Sequence, residues 1–167
     1  QRTGDATWID ALEDAIENSL LESGGYKKGE QQHFNKDLLI DTTTLFSFIK
    51  ESQPDEWEKS KTIHGNKIEE KLLDRLSKEI DNRNILDVIR NGFTDLGVRY
   101  KLAFFKPVSK LNPETEELYN LNCLTVTRQF KYSQSNNNSV DILICLNGLP
   151  TITAELKNQF THQTVKE

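Results

Sequence analysis

The stretch 139–157 constrains the fold most, because it holds two strand-like apolar runs around a turn signal. Asp141, Glu155 and Lys157 lie inside these runs. Charged side chains are seldom buried in apolar strands without a partner or a metal. Two carboxylates and a lysine brought together supply the groups that metal-assisted phosphodiester cleavage needs. The pattern therefore predicts a hairpin that carries an active site.

The register of this hairpin decides whether its acidic side chains meet, since residues paired across a hairpin share a face. A regular two-residue turn at Asn147-Gly148 pairs Asp141 with Ala154 and turns Glu155 away. A three-residue connection or a β-bulge instead pairs Asp141 with Glu155. Lys157 shares the face of Glu155 because side chains alternate along a strand. The chemistry therefore requires one of the two irregular forms.

In that register, the carboxylates of Asp141 and Glu155 are oxygen ligands suited to Mg²⁺ or Mn²⁺. Lys157 would orient or help deprotonate the attacking water, or neutralise charge that develops on the phosphate. The spacing alone leaves a second interpretation open, in which the three residues form a structural ion cluster at a sheet edge.

Length and composition favour a single globular domain. The chain has 167 residues, of which 35% are hydrophobic and 28% charged. It contains no run of about 18 apolar residues and no signal-peptide pattern, which predicts a cytoplasmic protein with no membrane partner. Cys123 and Cys145 lie in strand-like segments without metal or disulfide spacing, so we expect reduced, buried thiols.

The net charge of −5 argues against tight, unaided DNA binding. It is compatible with action on DNA that another module delivers, because a local basic patch can exist on an acidic domain. The chain contains no methionine, and its last residues carry no helix stop signal. These features predict a piece of a larger polypeptide.

The periodicity predicts a helical part over about 8–92 and a sheet core over about 97–167. In the first helix, over about 11–21, Glu13 and Glu17 lie one turn apart. The first interpretation of these two residues is a solvated acidic face, and a functional role is the alternative. Further helices are predicted at 38–49, from Pro54, at 66–81 and after Asn84, with strands at 98–105 and 121–132.

The hairpin residues resemble a known nuclease motif. Asp141, the turn Asn147-Gly148-Leu149-Pro150 and the run Ala154-Glu155-Leu156-Lys157-Asn158 are similar to the PD-(D/E)XK motif in the restriction (R) subunit of type I restriction endonucleases. Val140 stands where the proline of the motif's name would be. The resemblance extends to Val126-Thr127-Arg128-Gln129, Tyr132-Ser133, Gln163-Thr164-Val165, Gln53-Pro54-Asp55-Glu56-Trp57 and Leu86-Asp87-Val88-Ile89-Arg90-Asn91-Gly92.

This resemblance implies an α/β fold, namely a PD-(D/E)XK restriction-endonuclease-like core with a mixed β-sheet flanked by helices and a helical N-terminal part. It implies Mg²⁺-dependent cleavage of double-stranded DNA, with Mn²⁺ as a possible substitute. The family's ATP-driven motor domains would lie outside this chain, and ATP would serve only them. The methylation and specificity subunits of the same complex would be its partners.

The resemblance also implies site residues. Asp141, Glu155 and Lys157 would be catalytic, with Glu13 on the first core helix as a fourth member. The metal ligands would be Asp141, Glu155 and the main chain of Leu156. The candidates for DNA contact are Arg128, Lys131 and Gln163.

Three alternatives remain open beside these assignments. For Arg128, a structural ion pair is an equal alternative to DNA contact. His162 is close in sequence to the site, but a surface histidine is favoured because no partner spacing supports a ligand role. The same fold without catalysis would be a docking or DNA-guiding module in a larger assembly.

Overall fold

The computed structural model describes residues 3–108, 112–132 and 139–156. The helices are α1 (Thr3–Ser23), α2 (Thr42–Ser52), α3 (Pro54–His64), α4 (Ile68–Arg83), α5 (Ile85–Asn91) and α6 (Pro113–Asn120). The strands are β1 (Lys27–Lys28), β2 (Phe34–Asn35), β3 (Ile40–Asp41), β4 (Phe93–Asp95), β5 (Val98–Tyr100), β6 (Leu124–Lys131), β7 (Ser139–Leu146) and β8 (Leu149–Ala154). Among these residues no helix is both long enough and apolar enough to cross a membrane.

The main sheet has the strand order β1-β6-β7-β8. Strand β1 runs parallel to β6, whereas the β6–β7 and β7–β8 pairs are antiparallel. Two further pairs, β2–β3 and β4–β5, form separate small sheets. The chain is therefore a mixed α/β protein whose main sheet is mixed, as predicted.

Two apolar clusters hold the fold together. The larger one joins helices α2–α5 to β4, β5 and the turn end of the β7–β8 hairpin, where Leu149 is fully buried. The smaller one contains Phe34, Phe130, Leu143 and Cys145. Burial of such side chains contributes about 1.5–3 kcal/mol each, so the hairpin is anchored by packing at its turn and along β7.

The strand predicted at 98–105 is wrong beyond Tyr100, where β5 ends. The side-chain amide of Gln53 bonds both backbone groups of Lys101, accepting from its N–H at 2.7 Å and donating to its carbonyl at 2.9 Å. Asn122 does the same at Phe104, at 3.1 and 2.5 Å. These amides take the place of a neighbouring strand, because buried backbone groups need partners of some kind.

Helix α2 begins four residues later than the predicted start at 38. The Asp41 carboxylate accepts from the backbone N–H of Thr44 at 2.9 Å and from its hydroxyl at 2.7 Å, which is the usual geometry of an N-cap. Leu39 has a positive φ of 56°, which is incompatible with a right-handed helix. The cap therefore sets the helix start, although the apolar spacing begins earlier.

Candidate active site

The β7–β8 hairpin turns through two residues, Asn147 and Gly148, which have φ values of 52° and 82°. Positive φ at both central positions is typical of a type I′ hairpin turn. The turn is also packed tightly, since a Cβ at Gly148 would lie 2.3 Å from the carbonyl oxygen of Asp41. The three-residue connection considered from the sequence is therefore wrong.

A β-bulge directly follows this turn. Cys145 pairs with Pro150 and Ile144 pairs with Ile152, so Thr151 is the extra residue. The Thr151 hydroxyl donates to the carbonyl oxygen of Ile144 at 2.9 Å. Proline has no N–H to donate to the ladder, and this hydroxyl supplies a donor next to it. The bulged form that the chemistry required is confirmed.

The bulge sets the register at the other end of the hairpin. The last registered pair is Ile142 with Ala154, so Asp141 on β7 and Glu155 just beyond β8 are the residues that directly follow this pair. The Oδ2 atom of Asp141 accepts from the backbone N–H of Leu156 at 2.5 Å. This bond ties the chain beyond β8 to the side chain of Asp141.

The two carboxylates differ in exposure. Asp141 is half-buried on β7, whereas Glu155 is exposed and lies one residue beyond the end of β8. The expectation that Glu155 lies inside a strand is therefore wrong. Lys157, Gln163 and His162 lie outside the described residues, so their assignments stay predictions.

Asp141, Glu155 and Leu156 are the candidate metal ligands, and their oxygens lie on adjacent segments. Within 3–108, 112–132 and 139–156, no group of three or more His, Cys, Asp or Glu side chains is arranged to hold a metal ion. The candidate site has only two such side chains in the described residues, Asp141 and Glu155, and the main-chain oxygen of Leu156 is the third candidate ligand. Mg²⁺ accepts a ligand set of this kind when water fills the remaining positions.

Glu13 is fully buried beside β6, and Glu17 is only 6% exposed. The interpretation of these residues as a solvated face is wrong. The Oε2 atom of Glu13 accepts from Arg128 at 3.1 and 3.2 Å, and its Oε1 atom accepts from the Gln129 amide at 2.6 Å. Arg128 also donates to Asp14. Charge pairing explains how a carboxylate can be buried on this helix.

Gln129 connects Glu13 to the neighbourhood of Asp141. Its φ of 49° departs from strand geometry, so its side chain and that of Arg128 reach the same carboxylate, although adjacent strand residues normally point apart. The flanking pairs, Arg128 with Ile142 and Phe130 with Val140, place Gln129 across from Asp141. Among the described residues, no hydrogen bond joins Glu13 directly to Asp141. The catalytic assignment of Glu13 therefore stays a prediction.

Arg128 and Lys131, the two described candidates for DNA contact, have different surroundings. The side chain of Arg128 is 24% exposed, and its guanidinium forms ion pairs with Glu13 and Asp14, which is the ion-pair alternative considered for it. Lys131 is exposed at the end of β6. Contact with DNA stays a prediction for both residues.

We expect Arg128→Ala to destabilise the fold by about 3 kcal/mol, because it leaves the buried Glu13 carboxylate without its cation. Chemical denaturation measures this change. Lys61→Ala is the control, since it breaks only an exposed ion pair with Glu58 and should cost at most about 1 kcal/mol. The double replacement Glu13→Gln with Arg128→Met should recover most of the loss. A loss below about 1 kcal/mol in Arg128→Ala would contradict this account.

The two thiols take no part in this site. Both cysteines are unpaired, as predicted. Burial raises the pKa of the Cys145 thiol to about 12 and also raises the pKa of Cys123. A thiol that stays protonated at neutral pH is a poor nucleophile. Cys123 is only half-buried, contrary to the expectation that both thiols are buried.

Three residues near the site were missed by sequence reasoning. Thr151 is the bulge residue, and its only sequence signal is Pro150 just after the turn. Gln129 was noted only within the family resemblance, and the positive φ that accompanies its contact with Glu13 has no signal in the sequence. Asn147 was recognised only as a turn residue, yet it is fully buried and its amide bonds the backbone of Cys123 at 2.7 Å and of Leu102 at 2.9 Å.

The fold and the hairpin define a mixed α/β protein with two acidic residues at the end of a pair of antiparallel strands, which is consistent with a nuclease-like fold. Residues 10–167 match the family described as "Type I restriction enzyme R protein N terminus". The chain belongs to this family, which confirms the resemblance to the R subunit of type I restriction endonucleases. No curated protein and no solved structure matches the chain.

Proposed function

We propose that this chain is the Mg²⁺-dependent endonuclease domain of a type I restriction enzyme R subunit. The observation that carries the proposal is the bulged register, which ends at the pair Ile142–Ala154, so that Asp141 and Glu155 directly follow the same pair. Family membership of residues 10–167 supports the restriction-modification setting. The reaction would be hydrolysis of phosphodiester bonds in double-stranded DNA.

The described residues fit a divalent ion held by oxygens. Asp141 and Glu155 would be ligands through their carboxylates, and Leu156 through its main-chain oxygen. When bound, the ion would polarise the phosphodiester and acidify an attacking water. The Asp141–Leu156 hydrogen bond at 2.5 Å would hold this short ligand-bearing segment in position. Lys157 would orient the water or neutralise charge on the phosphate.

The remaining site residues would support this chemistry from β6. Glu13, the proposed fourth catalytic residue, is linked through Gln129 to the strand position across from Asp141. Its burial and the mixed sheet support a PD-(D/E)XK core, in which the first helix lies against the catalytic sheet. Arg128, Lys131 and Gln163 remain the candidates for contact with the DNA path.

The net charge of −5 supports a domain that acts on delivered DNA. The DNA would be supplied by ATP-driven motor domains, and its sequence would be read by a specificity subunit that acts with the methylation subunit. The same negative charge also favours the competing function, a docking or DNA-guiding module without catalysis. The two functions differ in their need for a divalent ion.

Titration calorimetry with Mg²⁺ and with Mn²⁺ tests the proposal. We expect the chain to bind the ion and Glu155→Ala to weaken binding by at least about tenfold. Glu116→Ala is the matched control, because Glu116 is an exposed carboxylate on α6 and should leave the heat of binding unchanged. Equal binding by the wild type and Glu155→Ala, or no binding by the wild type, would favour the docking module.

A further inference from the structure

We propose that a cleft between α5, β5 and segment 101–105 binds a nucleotide of single-stranded nucleic acid. The cleft has a volume of about 310 Å³, which is at the lower end of the range for small-ligand sites. Its lining includes Arg90, Arg99, Lys101, Phe104, Phe105 and Thr115. It shares no residue with the candidate active site, so it goes beyond the proposed cleavage function.

The cleft concentrates positive charge on a chain whose net charge is negative. Arg90, Arg99 and Lys101 are exposed, and Arg99 and Lys101 lie two residues apart, which places them on one side of an extended chain. No carboxylate lines the cleft. Within the described part of the chain, none of the three cations forms an ion pair. Unpaired cations grouped in this way fit a phosphate-bearing ligand.

The acidic groups nearest in sequence form no ion pair with these cations within the described residues, although the charge of Arg90 contributes to lowering the pKa of Asp87. Asp95, four residues before Arg99, is bonded by His64 at 2.6 Å. Asp87 on α5 is held by Arg83 at 2.7 Å and by the amide of Asn91 at 2.7 Å. Glu114 and Glu116 flank Thr115 on α6, but neither lines the cleft. The positive charge is therefore available to a ligand.

An exposed aromatic ring stands beside the cations. Phe105 is 60% exposed, and the Lys101 ammonium lies 5.8 Å from the centre of the neighbouring Phe104 ring. Aromatic faces next to cations are the combination that binds unpaired bases and their phosphates. Bases in a duplex are stacked on one another and cannot lie against such a ring. An acidic peptide would satisfy the cations but would not account for the exposed ring.

The cleft is also held in shape before a ligand arrives. Gln53 bonds both backbone groups of Lys101, and Asn122 bonds both backbone groups of Phe104. These bonds fix the segment that carries the cation and the aromatic rings. A preformed site loses less conformational entropy on binding.

Fluorescence anisotropy with a labelled oligothymidylate tests the proposal on the whole chain. The cleft variant is Arg90→Ala with Arg99→Ala and Lys101→Ala. The control variant is Lys59→Ala with Lys71→Ala and Lys78→Ala, which removes the same charge from exposed positions on α3 and α4. We expect the cleft variant to bind at least about tenfold more weakly and to lose about 2 from the slope of log affinity against log salt. The control variant should change affinity by less than about twofold.

Phe105 provides a second, independent measurement. We expect Phe105→Ala to weaken binding at least about fivefold and Phe105→Trp to preserve it, because every base can stack on an aromatic face. The proposal is overturned by equal losses in the two charge variants or by no effect of Phe105→Ala. It is also overturned if the wild type does not bind the oligonucleotide, if it prefers a duplex of the same sequence, or if polyglutamate competes equally well. None of these readouts depends on cleavage.

Discussion

Replacing Asp141 or Lys157 by alanine in the complete restriction complex should abolish DNA cleavage and leave ATP hydrolysis and translocation unchanged. The expected loss is at least about 100-fold for either residue, because each would stabilise charge or bind metal in the reacting state. The ATP-driven steps would belong to other domains and should not respond. Cleavage of circular plasmid and ATP hydrolysis, measured on the same samples, give the two readouts.

Asp141→Asn separates catalysis from structural support. Asp141 bonds the backbone N–H of Leu156 at 2.5 Å, and an asparagine oxygen can accept the same bond. Asparagine lacks the negative charge that a hard cation needs. If Asp141 is a metal ligand, Asp141→Asn should be as inactive as Asp141→Ala, yet as stable as the wild type. Cleavage that persisted in Asp141→Ala and Lys157→Ala would show that the site is assigned to the wrong residues.

Inserting one glycine between Ala154 and Glu155 should eliminate cleavage almost as completely. The insertion leaves all registered pairs of β7 and β8 intact but moves Glu155 off the position opposite Asp141. A displacement of about 1 Å in a catalytic group can cost about 100-fold in rate, and this change is larger. Cleavage in the complete complex and Mg²⁺ binding by calorimetry should both decline.

Deletion of Thr151 is the matched control for that insertion. Thr151 is the unpaired bulge residue, so its removal converts the bulge to a regular ladder. The pairs Ile144–Ile152 and Ile142–Ala154 are kept, and Asp141 and Glu155 still follow the last of them. Cleavage should therefore remain within about tenfold of the wild type. If the deletion were as inactive as the insertion while both variants stayed folded, the pairing of Asp141 with Glu155 would not explain the function.

The sequence alone predicted much of the hairpin. Asn147-Gly148 identified the turn, and the alternation of side chains showed that a regular hairpin would separate Asp141 from Glu155. These inferences succeeded because they depend on local geometry, in which side chains alternate along a strand and a turn favours particular residues. The family resemblance also begins with this local motif, although it extends to other segments of the chain.

The surroundings of Glu13 could not be predicted in the same way. Its helix was found from periodicity, but the sequence favoured a solvated position. Burial depends on Arg128 and Gln129, which lie 115 and 116 residues away along the chain. Spacing within a helix carries no information about a partner on a distant strand. The end of β5 was mispredicted for a similar reason, since Gln53 reaches Lys101 from 48 residues away.

The sequence by itself determined the position of the turn, the alternation of side chains and the acidic residues of the hairpin, because these follow from contacts between near neighbours. Only the tertiary structure decided that the bulge falls at Thr151 and that Glu13 is buried beside β6. It also decided that Arg90, Arg99 and Lys101 line one cleft. Those outcomes depend on packing between segments that are far apart in the chain, where hydrogen bonds and buried charges must be satisfied together.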